Sequence, residues 1–205
     1  AGMTTYQLHA VLSAAQSNVY TLAGTSDQTL VMPPAFQVAA PFGTDVGGVS
    51  PAFFPVNADA EFDSWLTIGS TDGSAGAALS TIGLGLDGWS LSAGVSADNG
   101  AVFWMNPDDG PGGTDPICLA QITVAEGSGV SAAGVLQGRS VSGDDWRALI
   151  TWGSGGGGGG SGPAPAPSGP VHPGTPAQCP TNRAGYVFTG PAFTDISTTG
   201  TEVTN

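Results

Sequence analysis

The chain has 205 residues and a formal net charge of −13, because 16 acidic residues face only three arginines and no lysine. Such a surface repels phosphate backbones and anionic lipid, so we expect no nucleic-acid partner and no membrane-surface partner. Only 9% of the residues are charged, whereas Gly (34) and Pro (16) are abundant. This composition favours short strands and many turns over helices.

No apolar run approaches the roughly 18 to 20 residues needed to span a bilayer, so we expect no membrane span. The sequence starts at Ala1-Gly2 without an initiator Met, which fits removal of a signal peptide. We therefore expect a protein that is secreted or held at the cell surface.

Residues 1–152 predict one domain, an all-β antiparallel sandwich. Short apolar segments alternate with turn clusters about every 8 to 15 residues, and no helical stretch lies between them. The candidate strands cover residues 4–12, 17–23, 29–32, 36–40, 57–69, 79–86, 89–95, 101–105, 117–124, 130–136 and 146–152.

The segment 57–69 gives the clearest period-two pattern, with acidic side chains on one face and apolar side chains on the other. On this interpretation Trp65 lies on the solvent-exposed face of the strand, together with Glu61 and Asp63. Trp65 is then the best candidate for an outward aromatic that binds sugar. In the loop before it, we expect Phe42, Phe53 and Phe54 to plug the end of the sandwich.

Residues 153–180 predict a linker, Gly-rich at its start and Pro-rich from residue 163. A polyproline II segment extends about 3.1 Å per residue, so the Pro-rich part can reach on the order of 50 Å. Residues 181–205 form a tail with a candidate pairing strand, which needs a sheet edge to pair with. The predicted assembly residues are Tyr186, Val187, Phe188, Phe193 and Ile196.

Cys118 and Cys179 are the only cysteines, and the whole linker separates them. Paired within one chain, they would close a loop of roughly 60 residues and contribute about 4 kcal/mol on the loop-entropy model. Two unrelated thiols and a bridge between subunits are the alternatives. Neither cysteine has a CxxC or Cys/His neighbourhood, so zinc is not indicated.

The sequence predicts no catalytic residue, no cofactor and no committed metal site. His9 and His172 are the only histidines, and a nucleophile usually needs a histidine base beside it. Carboxylates are plentiful, but most lie in Asp/Gly contexts that are typical of turns. Calcium in the loops 98–100 and 108–113 stays an open alternative, because the residue types suit it but the spacing of a calcium loop is missing. A hydrolase using paired carboxylates such as Asp63 or Asp109 is a further alternative.

The linker is the candidate for glycosylation, since PAPAP, PSGP and PGTPAQCP look like hydroxyproline glycosylation modules of plant and algal cell-wall glycoproteins. A plain spacer is the alternative, and no N-x-[ST] sequon occurs. The candidate positions are Ser161, Pro163, Pro165, Pro167, Ser168, Pro170, Pro173, Thr175 and Pro176.

The segments FDSWLTIG and GAVFWMNPDDGP, with LAQITV and VLQGRSVSGDDW, give residues 4–152 a resemblance. They resemble a secreted domain of surface proteins from aquatic algae, other protists and some bacteria. The resemblance implies an extracellular β-sandwich used for interaction or structure, and it brings no catalytic residues.

Together these features predict a structural subunit of an extracellular filament or surface layer that assembles with copies of itself. Sandwich contacts and addition of the C-terminal strand would hold the subunits together. A secreted carbohydrate-binding or adhesion module is the alternative.

Overall fold

The computed structural model describes residues 2–75 and 78–153, so the predicted linker beyond Gly153 and the predicted tail lie outside it. Strands in antiparallel sheets are the main regular structure of the described residues, which confirms the all-β prediction. Within these ranges no helix has the length and apolar character that crossing a bilayer requires.

Ten strands and several short 3-10 helices make up this part of the chain. The strands are β1 Met3–Ala10, β2 Thr21–Gly24, β3 Leu30–Met32, β4 Trp65–Leu66, β5 Leu79–Ile82, β6 Val95–Ala97, β7 Gly100–Trp104, β8 Ile117–Ala125, β9 Ser131–Arg139 and β10 Asp145–Gly153. The 3-10 helices are Pro51–Phe53, Ala58–Phe62, Leu86–Gly88 and Pro107–Asp109.

The strands form two sheets. The smaller sheet has the order β1-β8-β4, and the larger one runs β5-β7-β2-β9-β3-β6, with β10 on the other side of β9. Because β9 is nine residues long, β2 and β3 share one of its edges: Thr21 pairs with Gln137, and Val31 pairs with Ala133. The whole opposite edge of β9 belongs to β10.

Apolar side chains from both sheets form one core. Ile122 of β8 and Leu136 of β9 belong to the same buried cluster, together with Leu22 of β2. Each of these side chains is at most 1% exposed, and full burial of such a side chain contributes about 1.5 to 3 kcal/mol. The two sheets are therefore held against each other by the hydrophobic effect.

The prediction of a strand over residues 57–69 is wrong for most of its length. Asn57 accepts a hydrogen bond from the N–H of Asp59 and caps the 3-10 helix Ala58–Phe62, and only Trp65–Leu66 is a strand. The cause is local, because an Asn side chain that bonds the backbone two residues on starts a turn in preference to a strand. The alternating carboxylates therefore do not mark a sheet face.

Residues 36–64, which we call the cover segment, pack against β8 beside the short strand β4. The N–H of Phe36 donates to the oxygen of Thr123 at 2.7 Å, and the N–H of Thr123 donates to Oγ of Ser64 at 2.9 Å. A second apolar cluster lies under this segment and contains Val49, Ala60, Trp65 and Cys118, with Phe42 and Phe54 packed against it. Phe53 contacts Phe42 edge to face at 5.8 Å but is itself 36% exposed.

Candidate functional site

The outer edge of β10 is the candidate assembly surface. β10 pairs with β9 over all nine of its residues, and in the described part of the chain nothing pairs with its other side. Its side chains alternate cleanly, with Trp146, Ala148, Ile150 and Trp152 buried and the residues between them more exposed. A long, regular, unpaired edge is a template for another strand.

The hydrogen bonds of β9 identify the β10 backbone groups that face outward. The oxygens of Gln137 and Arg139 accept from Tyr20 and Ser17, on the side away from β10. In an antiparallel pair these directions alternate, so the even-numbered residues of β9 bond the even-numbered residues of β10. The N–H and C=O groups of Arg147, Leu149 and Thr151 therefore point to the open side. We call these three residues the β10 edge.

Ion pairs lie near the turn end of the β9–β10 hairpin. Arg147 binds both oxygens of Asp27 at 2.8 Å, and Arg139 binds Asp145 at 2.8 Å and Asp108 at 3.4 Å. The Arg139 guanidinium also lies 5.9 Å from the centre of the Tyr20 ring. Both arginines of the described residues are thus already paired with carboxylates.

A cavity of about 520 Å³ lies between the ends of β7 and β8, a size typical of ligand sites. Trp104, Pro111 and Ile117 give it apolar walls, while Asp109 and Asp115 add carboxylates. The Trp104 indole is held in place, since its Nε1 donates to the oxygen of Ile68 at 2.9 Å. Within the described ranges, neither carboxylate forms an ion pair.

Cys118 also lines this cavity. It is the second residue of β8, is 3% exposed and belongs to the small apolar cluster under the cover segment. Its predicted partner Cys179 lies outside the described residues, so the disulfide stays a prediction. The glycosylation candidates (residues 161–176) and the assembly residues (186–196) lie outside them too.

Two predictions about polar surface are wrong. Trp65 is only 2% exposed, because the residues of the small cluster surround it, and so it offers no sugar-binding face. Asp63 is fully buried. Its carboxylate accepts hydrogen bonds from the N–H groups of Val38 and Thr44, both at 2.7 Å, so it organises the cover segment.

Burial moves the pKa values of two groups beside β8. Removal from water raises the pKa of Asp63 to about 6, against the opposing effect of its backbone hydrogen bonds to Thr44 and Val38. It lowers the pKa of His9 to about 4. His9 pairs with Cys118 in the β1–β8 register and has no carboxylate bonded to it in the described residues. Among the residues that the structure describes, neither group has the partners of an acid–base pair.

The remaining acidic residues are dispersed. Asp108 and Asp109 lie in the 3-10 helix Pro107–Asp109, whose cap is Asn106, and Asp144 lies in the β9–β10 turn. Across the ranges that the structure describes, no three His, Cys, Asp or Glu side chains come together as a metal site.

Comparisons with family models, with curated proteins and with solved structures found no match for this chain. The resemblance drawn from FDSWLTIG and GAVFWMNPDDGP therefore stays a prediction, and function has to be argued from the geometry.

Proposed function

We propose that this protein is a structural subunit of an extracellular filament or cell-surface layer. In this proposal residues 1–152 form a β-sandwich, and residues 153–180 are a glycosylated linker. The strand in the tail pairs with the sheet edge of a neighbouring subunit. The single observation that carries the proposal is the β10 edge, which lies on the side of the regular nine-residue strand β10 that no described residue pairs with.

The β10 edge lacks the features by which monomeric proteins block such edges. It contains no proline and no bulge, and its one charged residue, Arg147, turns its guanidinium to Asp27. Strand addition uses backbone hydrogen bonds for affinity and alternate side chains for specificity. The tail segment 185–190 (GYVFTG) would supply the backbone groups for such hydrogen bonds. As a strand it would also place the side chains of Tyr186 and Phe188 on one face.

The linker gives the tail strand the reach to cross between subunits. Between Gly153 and Cys179 the chain has a Gly-rich part and a Pro-rich part, and the latter alone extends on the order of 50 Å. Each subunit then offers one edge and donates one strand. Such a head-to-tail contact closes into a ring or continues as a filament, depending on the rotation between subunits.

A proline on the β10 edge tests the proposal. Thr151→Pro removes an outward N–H without removing a bond to β9, and edge strands tolerate proline at such positions. We expect this variant to fold but to form no filaments in negative-stain microscopy. Thr151→Val is the matched control, because it keeps the N–H and a strand-favouring side chain, and it should assemble like the wild type. Normal filaments from Thr151→Pro would contradict pairing at β10.

Removal of residues 181–205 tests the other partner of the contact. The chain that ends at Pro180 should stay folded and soluble but should not assemble. If it still forms the native oligomer, the strand-exchange proposal is wrong.

A carbohydrate-binding or adhesion module is the second candidate. Burial of Trp65 removes its predicted surface, but the cavity beside Trp104 combines aromatic and carboxylate groups, which suits a sugar. Retention on a polysaccharide resin that Asp115→Asn abolishes, in a protein that forms no filaments, would favour this candidate.

A further inference from the structure

The cavity beside Trp104 has an occupant of matching chemistry in the chain itself. We propose that residues 180–184 (PTNRA), directly after Cys179, dock in this cavity of the same chain, with Arg183 facing Asp109 and Asp115. Cys118, which lines the cavity, forms the disulfide with Cys179 that holds the segment there. This inference is independent of filament formation.

Charge complementarity selects this segment. Arg139 and Arg147 are engaged by Asp108, Asp145 and Asp27, and the sequence has no lysine. Arg183 is therefore the one remaining arginine of the chain. In the cavity the described residues leave Asp109 and Asp115 without an ion pair, and a guanidinium suits two carboxylates better than an ammonium does.

Sequence distance agrees with this placement. Arg183 is four residues beyond Cys179, so its Cα lies within about 14 Å of a cysteine tethered at the cavity wall. Cys179 is 26 positions beyond Gly153, a stretch that spans up to about 85 Å when extended. A folded domain of about 150 residues has a radius of gyration of about 15 Å. The linker is therefore long enough for residues 180–184 to reach the cavity of their own chain.

The placement also leaves the strand in the tail available. Residues 180–184 are polar or small apart from Pro180, whereas Tyr186 and Phe188 begin beyond them. Residues 180–184 can thus stay bound to their own domain while the tail strand that follows them pairs with a neighbouring subunit. The disulfide at Cys179 restricts the motion of the tail strand but uses none of its backbone hydrogen-bonding groups.

The equilibrium between the disulfide and a glutathione buffer tests the proposal on the full chain. Docking of residues 180–184 raises the effective concentration of Cys179 at Cys118, so it stabilises the disulfide. Thiol labelling and mass spectrometry give the disulfide fraction at each ratio of reduced to oxidised glutathione. We expect Arg183→Gln, and Asp109→Asn with Asp115→Asn, to lower the equilibrium constant about two- to fivefold, as for exposed ion pairs. Combining all three changes should add little, because both sets remove the same contact.

Two controls separate this contact from general charge effects. Asp98→Asn removes one carboxylate at an exposed position outside the cavity and should leave the constant unchanged. Arg183→Lys should recover part of the loss. Concentrated salt should bring the wild type to the level of Arg183→Gln, since the Debye length falls to about 3 Å at 1 M.

Three results would overturn the proposal. These are two free thiols in the oxidised full-length protein, a disulfide that joins two chains into a covalent oligomer, or an Arg183→Gln variant that behaves like the wild type. Normal filaments from Thr151→Pro would contradict the assembly proposal and would leave this inference intact, so the two proposals fail separately.

Discussion

Oδ2 of Asp63 accepts a hydrogen bond from the N–H of Thr44 at 2.7 Å, although Asp63 is fully buried. Oδ1 of the same carboxylate accepts from Val38, and its backbone oxygen accepts from Nε2 of Gln121 at 2.8 Å. Gln121 itself pairs with Gln7 across β1 and β8. Asp63 thus joins two points of the cover segment through its carboxylate, and it bonds the central strand of the smaller sheet through its backbone oxygen.

Asp63→Asn should therefore destabilise the protein. The amide offers one acceptor oxygen and turns its NH₂ group towards a backbone N–H, which leaves a buried donor without a partner. We expect a loss of about 2 kcal/mol in the free energy of unfolding, measured by urea denaturation. Asp59→Asn is the matched control in the same segment, because Asp59 is exposed, and it should change stability by less than about 0.5 kcal/mol. Equal effects of the two substitutions would contradict this role for Asp63.

The pH dependence of stability should contain two opposing contributions between about pH 4 and 6. The pKa of Asp63 is raised to about 6 in the folded chain, so the folded state binds more protons there than the unfolded state. That contribution to stability is full in acid and is lost as the pH rises through 6. The pKa of His9 is lowered to about 4, so its contribution is present near neutral pH and is lost as the pH falls.

Single variants should separate the contributions of Asp63 and His9 to the pH dependence of stability. In His9→Gln, the free energy of unfolding should rise relative to the wild type as the pH falls from 6.5 to 4. In Asp63→Asn, it should fall relative to the wild type as the pH falls from 6 to 4. Urea denaturation at a series of pH values measures both differences. Profiles parallel to the wild type would mean that neither group titrates differently in the folded chain.

The sequence predicted the strands whose pattern depends on their own residues. β10 alternates between buried and more exposed side chains over its whole length, and β1 and β7 also lie close to their predicted bounds. The alternation of apolar and polar residues along a strand with one buried face is a local property, so it can be recognised from the sequence alone. The short strands β2, β4 and β6 were less well placed, because pairing with distant partners defines them.

The sequence missed the cover segment for the same reason. Asp63 and Trp65 look like wet-face residues until residues 36–64 fold over β8. Gln7 of β1 is likewise buried, and its Nε2 donates to Oε1 of Gln121 at 3.1 Å. Contacts between residues so far apart in sequence cannot be predicted from the local alternation of polar and apolar residues. Of the cavity, only Cys118 was singled out by sequence for a role that fits its position.

The linker is predicted to carry O-linked sugar on modified prolines or on Ser161, Ser168 or Thr175. It is rich in proline bracketed by small residues. In protein from its natural source, glycopeptide mapping should find peptides within residues 161–176 that are heavier than their bare sequence. Peptides with the unmodified mass would support the plain-spacer alternative.

Gly138 is the position where β9 can least accept a side chain. A Cβ there would lie 1.9 Å from the oxygen of Asn18 and 2.5 Å from the ring of Trp146. The same ring is fixed by its Nε1, which donates to the oxygens of Asn18 and Arg139, each at 3.0 Å. The backbone oxygen and the indole therefore have no independent way to move aside.

Gly138→Ala should consequently cost about 1 to 3 kcal/mol or more, as overpacking in a core does. It should also disturb the β9–β10 hairpin, because Trp146 pairs with Gly138 in the register. Urea denaturation measures the first effect, and the near-ultraviolet circular dichroism of the tryptophans reports the second. Gly88→Ala is the control, since a Cβ at Gly88 meets nothing within 4 Å, and its stability should stay near that of the wild type. If Gly138→Ala is as stable as Gly88→Ala, the close packing of Trp146 on β9 is wrong, and so is the placement of β10 that the assembly proposal uses.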